Sequence, residues 1–239
     1  LRAAAPSGTF GSLLGRRAAA GGTRAQSRLR GALTSAQFSH ALVLLVGAGL
    51  LLQNYRRLQS ADLGFDANNL VTLAIFPPKA RYATAEAALH LYTSLVERLR
   101  SVPGVEDAAF VNFTPPGGSV STRVEIPGRK ISSDDMALYL TASEGYLRAL
   151  RLRLVRGRWF TESEMRTPGD GVVISESLAK RYWPNADALG KSLTILRSSQ
   201  VRPNFGQAVP STVIGIIGDF RQYGPGSDPD DAVYVPISA

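Results

Sequence analysis

Between Arg30 and Arg56 lie 25 residues without a charged side chain, His40 being counted as neutral, and no other feature constrains the chain as strongly. Ala41–Leu52 (ALVLLVGAGLLL) is wholly apolar. The ten residues before it are mixed: Leu33, Ala36 and Phe38 are interspersed with Thr34, Ser35, Gln37, Ser39 and His40. A helix needs about 20 residues to cross about 30 Å of hydrocarbon. Gly31–Leu52 reaches that length; the wholly apolar part alone does not. A secretory signal has an apolar run of this size, but the region before it is too long. Gln53-Asn54-Tyr55-Arg56-Arg57 also follows where a small-residue cleavage site belongs. A mitochondrial transit peptide would share the Arg-rich, acid-free start, but the chain opens on Leu1, not Met. The reading that accommodates both halves is an uncleaved transmembrane helix with the basic side in the cytoplasm and the remainder outside. Within it, His40 is an intramembrane ionisable group and so a functional candidate. The simpler expectation is that His40, Gln37 and Ser39 face neighbouring helices of a larger bundle or the interface. Gly47-Ala48-Gly49 offers small residues for such close contact.

Charge sharpens this division. The formal net charge is +8. Arg2, Arg16, Arg17, Arg24, Arg28 and Arg30 stand in residues 1–30 with no acid, and Arg56 and Arg57 follow. From Leu58 onward 19 basic and 19 acidic residues cancel. The basicity belongs to one end, so a nucleic-acid-binding body is not expected. With no Cys, disulfide frameworks, Cys-ligated zinc and iron–sulfur clusters are excluded.

After a loop at Ser60–Asn69, Leu70–Phe76 (LVTLAIF) reads as a strand stopped by Pro77-Pro78. Thr84–Val102 is the clearest helix. Ala88, Tyr92, Leu95, Leu99 and Val102 recur at spacings of four and three, Thr84 suits the N-cap, and Pro103-Gly104 ends it. Val105–Phe113 reads as a strand, completing a β-α-β unit. Further strands are expected at Val120–Ile126, Met136–Ala142, Gly171–Ser175, Leu193–Leu196, Thr212–Ile217 and Val233–Ile237, with short helices at Glu144–Leu150 and Glu176–Trp183. The irregular alternation predicts an α+β fold with a mixed sheet.

Chemistry is sparse. Gly190-Lys191-Ser192 resembles the end of a phosphate loop, but Asn185 stands where that loop needs Gly, and a strand, not a helix, is expected next. His40 and His90 are the two histidines and have no zinc spacing. Asp228-Pro-Asp-Asp and Asp134-Asp135 lack EF-hand spacing. Glu162 and Glu164 read as helix N-terminal charges more simply than as a glycosidase pair. Arg148, Arg151, Arg153, Arg156 and Arg158, beside Tyr146, Trp159 and Phe160, would suit nucleic acid. Their alternation with Leu147, Leu150, Leu152, Leu154 and Val155 suits a half-buried segment with a charged outer face. No catalytic, cofactor-binding or metal-binding residue is expected, no cofactor, and no enzymatic activity.

Several stretches together carry a family resemblance. Arg28–Leu52 looks like a first transmembrane helix, and L-G-F-D at Leu63–Asp66 like a juxtamembrane signature. Glu144–Phe160 is similar to Y-F-x-x-L-x-x-x-L-x-x-G-R-x-F. Val172–Lys191, Val213–Gly224 and Val233–Pro236 come after it in the right order. In these motifs the chain resembles MacB/FtsX-type ABC transporter permeases, specifically their MacB-like periplasmic core domain. It departs at Leu147, where Phe is more usual, and at Arg151 and Arg153, where Gly and Pro are more usual; these put a local turn in doubt. The resemblance implies a basic cytoplasmic linker at 1–30, a transmembrane helix at 31–55 and a truncated core domain at 56–239. It implies a non-catalytic permease fragment in a bacterial inner membrane, coupling a cytoplasmic ABC ATPase to the outer domain in export or mechanotransmission. Other permease helices and envelope or outer-membrane components are the further partners expected. A truncated core would leave some apolar strand or helix faces without partners. The alternative is a stand-alone membrane-anchored binding or sensor domain.

Overall fold

The computed structural model describes residues 24–59, 62–78, 80–82, 84–115, 117–167, 169–197 and 206–238. Most of the Arg-rich start, including Arg2, Arg16 and Arg17, lies outside these. The chain divides into two units, Leu1–Arg57 and Leu58–Ala239.

The first unit holds all but the last two residues of α1, Arg24–Gln59. Its 36 residues make a rod about 54 Å long at 1.5 Å per residue, beyond what a bilayer core requires. From Gln26 to Gln59 it is long and apolar enough to cross a membrane. The polar half fits such a helix because its side chains bond back to their own backbone. Thr34 donates to Arg30 O (2.9 Å), Ser39 donates to Ser35 O (2.9 Å), and His40 Nδ1 lies 2.9 Å from Ala36 O.

The second unit is built on seven strands: β1 (Ser121–Glu125), β2 (Met136–Ala142), β3 (Leu154–Gly157), β4 (Gly171–Ser175), β5 (Ser192–Leu196), β6 (Ala208–Ile217) and β7 (Ala232–Pro236). The long β6 takes β4 on one edge. On the other it takes β5 along its first half and β3 along its second. From β4 the order runs β7, β2, β1, β5 and back to β6, so six strands close into a ring with β3 beside it. The β2–β7 and β4–β6 pairs are parallel and the others antiparallel, a mixed sheet.

Strand periodicity divides the core in two. One cluster takes Val124, Tyr139, Ile174, Ile195, Val213 and Val233, one residue from each strand of the ring. A cluster fed by every strand of a closed ring occupies its inside face. The alternate residues Leu138, Leu140, Val173, Ile217 and Tyr234 form the second cluster. There they meet Tyr146 and Leu150 of α3 (Tyr146–Leu150), Trp159, Phe160, and Met165 of α4 (Glu162–Arg166). On β6, Val213 and Ile216 share the inner cluster although they are three residues apart. The register shift that sets Val172 opposite Val213 but Val173 opposite Gly215 accounts for this. α5 (Glu176–Tyr182) packs Leu178, Ala179 and Tyr182 into the inner cluster, with Ser175 capping Leu178 N.

Two expected strands are corrected. Leu70–Phe76 forms no strand and belongs to no sheet: Val71 is 91% and Phe76 89% exposed. Val105–Phe113 makes one bridge, Val111 with Ala142. A strand is defined by its ladder, and an apolar run that pairs with no neighbour is not one. Beside Val111, Asn112 takes over pairing that a longer ladder would make: its Nδ2 donates to Tyr139 O (3.1 Å), and its Oδ1 accepts from Thr141 N (3.0 Å). Between the two segments stands α2 (Ala85–Arg100), capped as expected by Thr84, which accepts from Ala87 N at 3.2 Å. Only Ala88 of its described side chains is buried, and Leu99, on the predicted core stripe, is 42% exposed. The β-α-β unit therefore has its helix without its sheet. β3 was not expected as an element, α4 places Glu162 and Glu164 in its first turn, as the helix N-terminal reading of these charges has it, and β6 begins four residues earlier than its predicted start, Thr212.

Candidate functional site

The second unit begins with a segment held tightly to the body. Asp62 starts it with a turn in which its Oδ1 accepts from Gly64 N at 2.8 Å. Gly64 has φ +82°, and a methyl carbon there would lie 2.1 Å from Asp219 O. Only glycine permits both the backbone sign and this approach. Arg221 closes over the turn, its N donating to Leu63 O (3.0 Å) and its Nε to Asp62 O (3.1 Å). Phe65 then packs against the outer core cluster. Asp66 N donates to Leu150 O (3.1 Å), and Asp66 Oδ2 pairs with Arg151 Nη1 at 2.6 Å. Bonds from the Asn68 backbone and then from Arg151 hold the Asp66 carboxyl below the ordinary carboxylate range.

Arg151 is the C-cap of α3 and has φ +52°, ψ +38°. This is the left-handed region, uncommon for residues other than glycine. It explains the departure noted in the sequence, where Gly is more usual: the turn forms, and the side chain it carries reaches Asp66 and, at 3.3 Å, Glu106.

Beyond this strap, the segment from Asn68 to Phe76, α2, Val105–Phe113 and α3 line an open groove of about 1270 Å³. Tyr92 and Phe110, both in its lining, stack with centroids 4.1 Å apart. Asp107 ties its wall together, accepting from Arg100 Nε (2.9 Å), Arg148 Nε (2.7 Å) and Ala108 N (2.8 Å). Burial alone would raise the Asp107 pKa. The bonds from Arg148 and the Ala108 N–H and the charges of both arginines outweigh it and hold the group ionised below its usual range.

The five clustered arginines are each paired with a carboxylate: Arg148 with Asp107 and Glu144, Arg151 with Asp66 and Glu106, Arg153 with Glu176, Arg156 with Asp187, and Arg158 with Glu164. A nucleic-acid phosphate would have to displace those partners. Glu162 and Glu164 likewise have separate partners, Arg166 and Arg158. Asp135 and Asp231 converge on α5: Tyr182 OH donates to Asp135 (2.9 Å) and Arg181 pairs with Asp231 (2.7 Å). Gly190-Lys191-Ser192 is the turn into β5, Gly190 N donating to Val213 O at 2.8 Å, with no helix behind it. His90 is exposed on α2. The Asp66–Arg151 pairing was not anticipated from the sequence; the signal available was an arginine in place of glycine.

The MacB-like periplasmic core domain family matches residues 40–239. Three solved structures are similar. The periplasmic region of MacB from Actinobacillus actinomycetemcomitans has 23% identity and a TM-score of 0.40, covering 62% of this chain and 55% of that one. The extracellular domain of the noncanonic ABC-type transporter YknZ from Gram-positive bacteria has 20% identity and a TM-score of 0.39, covering 59% and 60%. A domain of a protein described as a permease from Porphyromonas gingivalis has 19% identity and a TM-score of 0.37, covering 60% and 56%. The chain thus spans under two thirds of the length of each. No curated protein matches it. On a match running from within α1 to the last residue, this chain belongs to the MacB-like periplasmic core domain family.

Proposed function

We propose that this chain is a permease segment of an ABC-type export or mechanotransmission system. In this reading residues 1–30 lie in the cytoplasm, residues 31–55 cross the inner membrane and residues 56–239 form the extracytoplasmic core. The observation that carries it is the family match beginning at residue 40, inside α1, so that helix and core belong to one family unit. The Arg-rich side of α1 supports the orientation. The chain itself performs no chemistry. A cytoplasmic ATPase hydrolyses ATP, and α1 carries the resulting motion to the outer core. A stand-alone sensor calls for an enclosed, ligand-sized pocket, whereas the groove here is open, with Leu70–Phe76, which joins no sheet, in its wall.

Because the chain has no Cys, single cysteines report cleanly on topology. In inverted and right-side-out vesicles, a membrane-impermeant maleimide should reach Ser227→Cys from the outer side and Ser27→Cys from the cytoplasmic side. The reverse pattern would overturn the orientation. Co-purification from native membranes with an ABC ATPase is expected, and ATP hydrolysis by the purified chain alone would overturn the non-catalytic role.

A further inference from the structure

We propose that Asp62–Asp66, fastened by Gly64 and by the Asp66–Arg151 pair, is the joint that delivers displacement of the chain leaving α1 to the closed sheet. This deepens the coupling role proposed above and rests on it. The strap is attached at two places. Gly64 lies against Asp219, and Arg221 bonds to Asp62 and Leu63, just past the end of β6. Asp66 bonds to Leu150 and Arg151 at the end of α3. The two attachments are themselves joined, since Gly218 N donates to Arg153 O at 2.8 Å. Phe220 and Leu150 root them in the outer core cluster.

Past the strap the chain is held less firmly than the ring. Leu70–Phe76 belongs to no sheet, Ala88 is the one buried side chain among those described in α2, and residues 105–113 reach β2 through the Val111 bridge and the Asn112 bonds. With the strap fastened, a pull on the chain after α1 enters the ring directly and bypasses residues 70–113. With it open, the same pull falls on those residues and peels them away before the ring is loaded. The guanidinium of Arg151 sits where the backbone suits glycine, so the ion pair is a property of this chain, not a requirement of the turn.

The test is single-molecule pulling on the full chain in a lipid nanodisc, with handles on Leu58→Cys and on a tag after Ala239. The parent should show no extension before the ring unfolds. Asp66→Asn and Arg151→Gln should each add an earlier, lower-force step of about 150 Å, the length of the released chain when extended. The swap Asp66→Arg with Arg151→Asp should abolish that step. Arg151→Gly removes the guanidinium while keeping a residue the turn accepts; it folds even if the other variants do not, and should show the same early step. A parent that already releases at low force, or an Arg151→Gly chain that pulls like the parent, overturns the proposal. No ATPase is present, so these outcomes bear on the joint alone. A sound joint in a chain that associates with no ABC ATPase would instead overturn the coupling reading.

Discussion

Leu70–Phe76 (LVTLAIF) and Gly171–Ser175 (GVVIS) carry equally good strand sequences and meet opposite fates. The second is β4, paired with β6 and β7, with Val173 and Ile174 wholly buried. The first joins no sheet and lies exposed in the wall of the groove. β-propensity describes a residue that fits a pleated, half-buried surface. It does not provide the neighbouring strand. A backbone becomes a strand when another chain segment satisfies its N–H and C=O groups and covers its side chains.

The largest test of this contrast is a pair of truncations. Ile174→Ala should destabilise the domain by about 3 kcal/mol, through lost burial and a cavity in the ring. Leu73→Ala, on the exposed segment, should stay within about 0.5 kcal/mol. Urea unfolding monitored by circular dichroism measures both, and a costly Leu73→Ala would show that the segment is packed after all. Next in size is Asn112→Ala. Losing its two bonds to β2 should cost about 2 kcal/mol, roughly 1 kcal/mol per bond. Hydrogen exchange should accelerate over residues 108–113 and leave β4 and β7 unchanged.

A third test uses pH. Glu164 accepts from both Nη atoms of Arg158 and from the N–H and hydroxyl of Thr161. The bond from Arg158 first, then those from Thr161, overcome the effect of burial and lower its pKa from 4.5 to about 2. A carboxylate depressed in the folded state stabilises above its unfolded pKa and stops doing so as pH falls towards the folded one. Unfolding free energy should therefore drop by about 1–2 kcal/mol between pH 4.5 and 2, the full shift being discounted for the partial exposure of the pair. Glu164→Gln should flatten that part of the curve. The smallest effect belongs to Arg151→Gly. Relief of the left-handed backbone, about 1 kcal/mol, roughly offsets the lost surface ion pair and the extra freedom of glycine in the unfolded chain. Global stability should move by less than about 0.5 kcal/mol, while exchange at Asp66 N–H, bonded to Leu150 O, should quicken.

Local pattern made much of the fold legible. Met136–Ala142 and Gly171–Ser175 were readable as strands, and Thr84 as a cap, because a two-residue period, a turn residue or a hydroxyl before a helix is a short-range signal. Leu154–Gly157 was not: four residues with two exposed neighbours carry little period, and their pairing with β6 alone makes them a strand. The candidate site was legible only in outline. L-G-F-D stood out as a motif, but its partners, Arg151, Asp219 and Arg221, lie far along the chain.

The sequence by itself determined a helix of membrane-spanning length with its basic side marked, because hydrocarbon thickness and charge are read one residue at a time. It also determined most elements of an α+β domain and its family. Only the tertiary structure decided that the sheet closes into a ring, that five arginines are consumed by carboxylates, and that Leu70–Phe76 is left unpaired. Period and propensity act within a few residues, whereas pairing depends on which distant segment arrives at an open edge.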